Sequence, residues 1–404
     1  MLRFLNAGES HGRALTVILE GMPAGLTVDL EEIDEQLFRR QSGYGRGGRM
    51  KIEKDRIQIL SGIRHGKTMG SPITMQLNNR DWENWKQVMS TAPVKEKASR
   101  AEIREDSELE EVQSRVTRPR PGHADLAGAM KYGFSDLRPV LERASARETA
   151  TRVAVGALTK IFLREFGIRI LSHTLSIGSV KAAAFDGSFD QKVEERESSP
   201  VACLDSESGS QMMKAIDLCR ESGDSLGGVI QVETTPLPYG LGSHVHWDRK
   251  LDGRLAGALL SIQAMKGIEF GFGFKGSRES GSCFHDQIYY HQEQGFYHYT
   301  NNAGGLEGGM TNGEPLIIRL AMKPIPTLYQ PLDSTDLVSK EPFQASVERS
   351  DVCAVSAAGV VAENVTAYTL AQAFLEKFAG DNMEEVRAAY RAFQQRLSGG
   401  VEQD

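Results

Sequence analysis

KIEKDRIQILSGIRHGKTMGSPITMQLNN, residues 51–79, decides the fold class. Apolar and polar residues alternate in short runs, Ile57 to Leu60 and Ile73 to Leu77, as half-buried strands require. Gly62, Gly66 and Gly70 interrupt those runs at spacings far too short for a crossover helix, so the strands must return on one another antiparallel. On the N-terminal side, VDLEEIDEQLFRR predicts a helix with Asp29 as N-cap and Glu32 three residues later, a capping-box-like start. That helix ends at Ser42-Gly43 and delivers Arg39 and Arg40 into the glycine-rich stretch GYGRGGR. On the other side, Pro93–Val112 is charged and poor in apolar residues, a solvated excursion that is flexible or weakly helical.

Farther along, helices and strands alternate. HADLAGAMKYGF and ERASARETATRVAVGALTKIFLREFGI read as helices, the second with Val153, Leu158, Ile161, Phe162 and Phe166 on one side. SQMMKAIDLCRESGD, WDRKLDGRLAGALLSIQAMKG, DVCAVSAAGVVAENVTAYTLAQAFLEKF and MEEVRAAYRAFQQRL read as further helices. IRILSHTLSIGSVKA, GGVIQVETTPLP, IEFGFGF and EPLIIRLAMKPIP read as strands. Many strand pairs have hairpin-length connections, so the expected class is α/β in content, of the α+β type, with largely antiparallel sheets. No repeat and no clear linker divides the chain, and residues 1–404 are expected to form one unit.

An apolar fraction of 40% and a charged fraction of 25% are those of a globular protein, and no apolar run reaches bilayer length. The first residues lack a basic, apolar, small-residue leader layout, and Cys203, Cys219, Cys283 and Cys353 are widely spaced; both point to a reducing, cytoplasmic setting. A net charge of −7 argues against a dedicated nucleic-acid binder. The arginines are nevertheless concentrated: Arg39, Arg40, Arg46 and Arg49 in FRRQSGYGRGGR; Arg115, Arg118 and Arg120 in RVTRPRPGH; Arg143 and Arg147 in ERASARET. A guanidinium meets phosphate or carboxylate through a planar fork, and glycine lets backbone N–H groups approach the same anion. At roughly 1.5–3 kcal/mol per charge-assisted bond, a few converging arginines suffice to hold a small polyanion.

His11 in GESHGR and His123 in RPRPGHAD lie in polar, glycine-flanked surroundings, where an imidazole beside arginines can donate a proton near neutral pH. Each taken singly is more often structural. Asp351, two residues after Arg349, stands at the start of a long helix, as an N-cap or first-turn acid would. Ser145 stands near another helix start, a natural place for a phosphate and equally for a plain cap. His244 and His246 lack a third ligand at a telling spacing, so no metal is expected.

Other motif matches fail on context. SGIRHGKT has Ser61 where a phosphate loop needs glycine, and strand-like residues follow instead of a helix. GFGFKG, residues 271–276, is not followed by a helix for a pyrophosphate, and Asn364-Val365-Thr366 falls inside a predicted helix. GYGRGGR as an RNA-binding element lacks paired stacking aromatics.

GESHGRALTVILEGMP, ERASARETATRVAVGAL and RSDVCAVSAAGVVAENV resemble, in order and spacing, the three signatures of chorismate synthases; RPRPGHAD, NNAGGLEGGMTNGEP and MKPIPT resemble the blocks between them. The likeness runs over nearly the whole chain and implies a sandwich of antiparallel sheets and helices assembled as a homotetramer. It implies conversion of 5-enolpyruvylshikimate 3-phosphate to chorismate by 1,4-elimination of phosphate, with reduced FMN required and no net redox change. NADPH is the implied reductant where a member reduces its own flavin, and a separate flavin reductase otherwise. By resemblance, His11 protonates the departing phosphate, His123 lies near the flavin ring, and Asp351 assists deprotonation, with Ser10 and Ser145 in support. Arg40, Arg46, Arg49 and Arg118 or Arg120 form the implied anion clamp, Arg40 and Arg46 also serving NADPH. Implied FMN contacts are Arg143, Ala144, Ser145, Gln263, Ala264, Gly308, Lys323, Pro324, Ile325, Pro326, Thr327 and Arg349. Gln263 stands where many members carry asparagine, and the shorter members lack the 93–112 excursion.

Overall fold

In the computed structural model the residues described are 1–47, 55–93, 115–292, 295–345 and 351–398. Arg49, Arg349 and positions 94–112 of the charged excursion lie outside them.

Strands β1 (Arg3–Ala7), β2 (Ala14–Glu20), β3 (Gln58–Ser61) and β6 (Ile73–Asn78) form an antiparallel sheet in the order β1-β2-β6-β3, with Val17 opposite Met75. Between β3 and β6 a two-residue hairpin, β4 (Ile63–Arg64) with β5 (Lys67–Thr68), occupies the SGIRHGKT stretch, which removes the phosphate-loop reading. The second sheet contains β7 (Ile170–Ile177), β8 (Val180–Lys181), β9 (Gly228–Pro236), β10 (Met265–Phe270) and β11 (Pro315–Met322), ordered β10-β11-β9-β7-β8 and also antiparallel.

Helix α1 (Leu30–Gln41) starts as expected at Asp29, whose side chain accepts from the Glu31 N–H. The reciprocal half of the box does not form, because Glu32 instead meets Arg164 in a bidentate pair at 2.7 and 2.8 Å. Helices α2 (Asp125–Tyr132), α3 (Arg138–Ala144) and α4 (Thr149–Arg164) follow. The long helix read over ERASARET… is therefore broken: Ser145 is extended, at φ −60° and ψ 140°, and caps the short 3-10 turn Ala146–Glu148. Helix α5 (Phe189–Ser198) has a complete capping box between Ser188 and Gln191. Its FDQKVEERES sequence carries no apolar stripe, which is why periodicity misses it. After it come α6 (Ser206–Glu221), α7 (Leu251–Leu260), α8 (Val355–Lys377) and α9 (Met383–Ser398). The helix read over WDRKLDGRLAGALLSIQAMKG stops at Leu260; Ala264 takes φ +66°, and Met265 already opens β10.

Among the described residues a double layer of helices lies between the two sheets. Helix α4 packs on the first sheet, and α8, with α7, packs on the second; α4 and α8 pack on each other, and α1 packs against both. Burial on every side follows from that position. Alongside the expected Val153, Leu158, Ile161 and Phe162, α4 buries Ala150, Thr151, Ala154, Val155 and Thr159. The two helices approach to backbone contact at Gly156, where an added Cβ would collide with the Asn364 Cβ and carbonyl oxygen. Asn364 is fully buried and its Nδ2 donates to the Val360 carbonyl at 2.8 Å, so it is no glycan site.

Candidate active site

The loop between β1 and β2 is held against α3. The Ser10 N–H donates to the Glu142 carbonyl at 3.1 Å, and the His11 N–H donates to Glu142 Oε2 at 2.8 Å. The His11 ring presents Nδ1 to the same carboxylate, 3.0 Å from each oxygen, and stacks on Trp85 with centroids 3.9 Å apart. Arg138, one helical turn before Glu142, lies 3.7 Å from that carboxylate and also covers Trp85. Burial pushes the Glu142 carboxyl up, but its bonds to His11 and the charge of Arg138 outweigh it and leave it below the ordinary carboxylate range. Ser145 Oγ donates to Ser10 Oγ at 3.1 Å, which brings three of the expected residues together.

His123 sits in a matching assembly. Its Nδ1 bonds to the wholly buried Asp125, and Arg120 Nε donates to the other oxygen of that carboxylate at 3.0 Å. Burial pushes Asp125 up; His123 and Arg120 prevail and bring it below its ordinary value. His123 and Arg120 line an open groove of about 540 Å³ that runs to Ser334 and Asp336. Arg118, by contrast, points outward: it is 60% exposed, 3.9 Å from Asp336 and stacked over Phe343.

Arg40 is buried, with Nε on the Thr149 hydroxyl at 2.9 Å and Asp55 at 3.6 Å, and Asp55 also pairs with Arg147 at 2.5 Å. Asp351 is not a helix cap, since α8 begins at Val355 after Ala354. It binds the glycine-rich loop instead, accepting from the Gly47 N–H at 2.6 Å and pairing with Arg46 at 2.8 Å. The following residue, Val352, donates to the Gly45 carbonyl at 2.8 Å and accepts from the Leu226 N–H at 2.9 Å.

The segments of the implied flavin site form a bonded chain. Arg143 donates to Asn6 Oδ1 at 2.7 Å; Asn6 and Gln263 both donate to Glu148, at 2.8 and 2.9 Å. The Lys323 N–H donates to the Ala264 carbonyl at 3.0 Å, and Lys323 Nζ donates to the Gly122 carbonyl beside His123. Ser225 Oγ ties Ile325 to the segment ahead of Leu226 and thus to Val352. Gly308 stands apart. Its turn is fastened at Gly309 to Leu251, the start of α7, whereas Gln263 and Ala264 follow the other end of that helix, about 15 Å away at 1.5 Å per residue.

An anionic, hydrogen-bonding ring cofactor fits these residues. Gln263 Oε1 is buried without a partner, an acceptor left for an N–H, and Ala264 holds a positive φ that presents its backbone there. Burial and neighbouring Lys266 push the Lys323 ammonium below the ordinary lysine value, a state an anion relieves. Glu142, Asp125, Trp85 and Glu148 were not anticipated. A spacing of two between His123 and Asp125 at a helix start was a usable local signal; the 131-residue separation of His11 and Glu142 offered none. Among the described residues no cluster of His, Cys, Asp and Glu is arranged to hold a metal, and no helix is long and apolar enough to cross a membrane.

A family model described as chorismate synthase matches residues 2–375. The chain is 57% identical over 396 residues to a chorismate synthase of Desulforamulus reducens, covering 98% of this chain and 99% of that protein. It is 56% identical over 398 residues to one of Symbiobacterium thermophilum, covering 98% and 100%. A crystal structure of chorismate synthase superposes with a TM-score of 0.78 at 41% identity, covering 99% of each chain.

Proposed function

The chain belongs to the chorismate synthase family of lyases, and on that premise we propose that it converts 5-enolpyruvylshikimate 3-phosphate to chorismate and phosphate with reduced FMN bound. The observation that carries the reading is the pair of histidine–carboxylate–arginine assemblies, His11–Glu142–Arg138 and His123–Asp125–Arg120, standing in an otherwise acidic protein.

A carboxylate at Nδ1 fixes an imidazole's orientation, complements its positive form and leaves Nε2 as the working nitrogen. His11 Nε2 would give its proton to the departing phosphate, and His123 would place positive charge beside the electron-rich ring. When bound, reduced FMN supplies the electron chemistry of C–O cleavage and is regenerated within each cycle. Arg143, Ala144, Ser145, Gln263, Ala264, Lys323–Thr327 and Arg349 would hold it. Arg46, with Arg120 and Arg49, would bind substrate anions, while Arg40, buried against Thr149 and Asp55, would act by holding its helix in place. Asp351 would steer Arg46 and the glycine-rich loop and assist removal of the ring proton. The action of the whole chain as one unit, a cytoplasmic location, a homotetrameric assembly and NADPH or a flavin reductase as electron source belong to the same proposal.

An anaerobic assay with the enol ether phosphate and photoreduced FMN tests it. Equimolar chorismate and phosphate are expected, with oxidised FMN inert unless NADPH is supplied and the protein reduces its own flavin. Phosphate release without chorismate, or a product whose redox state differs from the substrate's, would refute it.

A further inference from the structure

A second cation-lined cavity, of about 270 Å³, lies where α1, α4, α5 and α8 meet the start of β7. Inside it Glu363, fully buried, accepts from both terminal nitrogens of Arg39 at 3.1 Å, from Lys160, and from the Ser172 N–H and hydroxyl at 3.0 and 2.9 Å. Those bonds use the capacity of its two oxygens. Arg196 enters from α5 with its side chain only 10% exposed, and it meets the exposed Glu197 at 3.6 Å. The Nε atoms of Arg39 and Arg196 are both buried without a hydrogen-bond acceptor.

Three cations therefore surround one carboxylate that is already fully engaged. Burial and the nearby Arg39 disfavour the charge of Arg196, whereas Glu363, Glu197 and Glu35 favour it; a guanidinium cannot shed its proton, and the buried Nε still lacks an acceptor. A bound anion would supply that acceptor. The neighbouring rim arginines do not need one: Arg164 is paired with Glu32, and Arg169 with Asp190 at 2.5 Å. Glu35 and Glu197 at the mouth face water. The opposite wall is apolar, formed by Ile161, Phe189 and Val193.

We infer that this cavity binds a small organic carboxylate with a compact apolar body, the carboxylate between Arg196 and Arg39 and the body against Ile161, Phe189 and Val193. The inference is independent of the proposed activity. Its volume falls just below the usual range for ligand pockets, which limits the occupant to about the size of benzoate.

Calorimetric titration of the full chain with benzoate, its neutral isostere benzamide and inorganic phosphate tests this. Benzoate is expected to bind once per chain and benzamide not at all. Arg196→Met should weaken benzoate at least tenfold, and Arg196→Lys should restore part of the loss. Arg196→Met relieves an unbalanced buried charge, so it should fold. At a hundredfold excess over Kd, benzoate should raise Tm by about 3 °C in the parent chain and not in Arg196→Met. Equal benzoate affinity in Arg196→Met, binding of phosphate alone, or no saturable binding would each overturn the inference.

Discussion

The imidazole Nδ1 of His11 lies 3.0 Å from both carboxylate oxygens of Glu142, a residue 131 positions farther along the chain. The loop between β1 and β2 and helix α3, which follows the charged excursion, are joined there by that contact, by the His11 N–H on the same carboxylate and by the Ser10 N–H on the Glu142 carbonyl. His123 makes the same kind of contact with Asp125 over a span of two residues, so one chemical device has been built once from distant segments and once locally.

Glu142→Gln keeps the shape of the side chain and removes its charge. Because Glu142 acts on substrate only through His11, turnover should fall roughly 10- to 100-fold, the usual scale for losing the partner that orients a working histidine. The pH profile of kcat should move while KM changes little. Asp125→Asn should behave likewise through His123. Unchanged pH profiles in both variants would reduce these carboxylates to structural supports.

Asp351→Asn retains an acceptor for the Gly47 N–H and loses the ion pair with Arg46. The elimination should slow by about tenfold or more, a loss of about 1.4 kcal/mol in barrier terms, with flavin affinity preserved. Titration of FMN fluorescence and single-turnover chorismate formation separate the two effects. Weakened flavin binding with normal chemistry in the bound fraction contradicts the role given to Asp351.

Gly156→Ala would stabilise an ordinary helix by nearly 1 kcal/mol. Here the new methyl meets the Asn364 backbone, and α4 must move away from α8. We expect a net loss of about 1–3 kcal/mol, read from urea denaturation, as for overpacking elsewhere. A gain in stability would show that the helix pair is looser than its geometry indicates.

Glu363 governs the response to acid. Burial raises its pKa, but Arg39, Lys160 and Arg196 together depress it well below the ordinary 4.5 of a glutamate. A depressed folded-state value contributes stability above the unfolded value and loses it as pH falls below about 4.5 toward the folded one. Glu363→Gln should cost about 3–5 kcal/mol at pH 7, because Arg39 and Lys160 remain buried without their counter-charge. Melting curves between pH 7 and pH 3 should therefore fall more steeply for the parent chain than for the variant. Parallel curves would remove Glu363 from the acid response.

Much of the site was legible as residue types in order. Glycine beside arginine, and histidine in polar surroundings, mark anion chemistry regardless of fold, which is why His11, His123, Ser145 and Arg120 could be picked out, while Ser10 came with the family resemblance alone. Arg40 and Arg118 show the limit of that reading. Both are arginines in motif blocks, yet one is buried as a fastening for α4 and the other faces solvent over Phe343. Asp351 had every local sign of a helix cap, and its real partners, Arg46 and Gly47, lie 304 residues before it in the case of Gly47.

The amino-acid order alone determined the antiparallel strands, the main helices and the chemistry the chain can carry, because alternation, capping residues and turn glycines act over a few neighbours. Only the tertiary structure decided that the helices fill the space between the sheets, that Ser145 breaks a helix, and which carboxylate each histidine and arginine meets. Those outcomes depend on burial and on charges brought together across hundreds of residues, and no local pattern records a partner that distant.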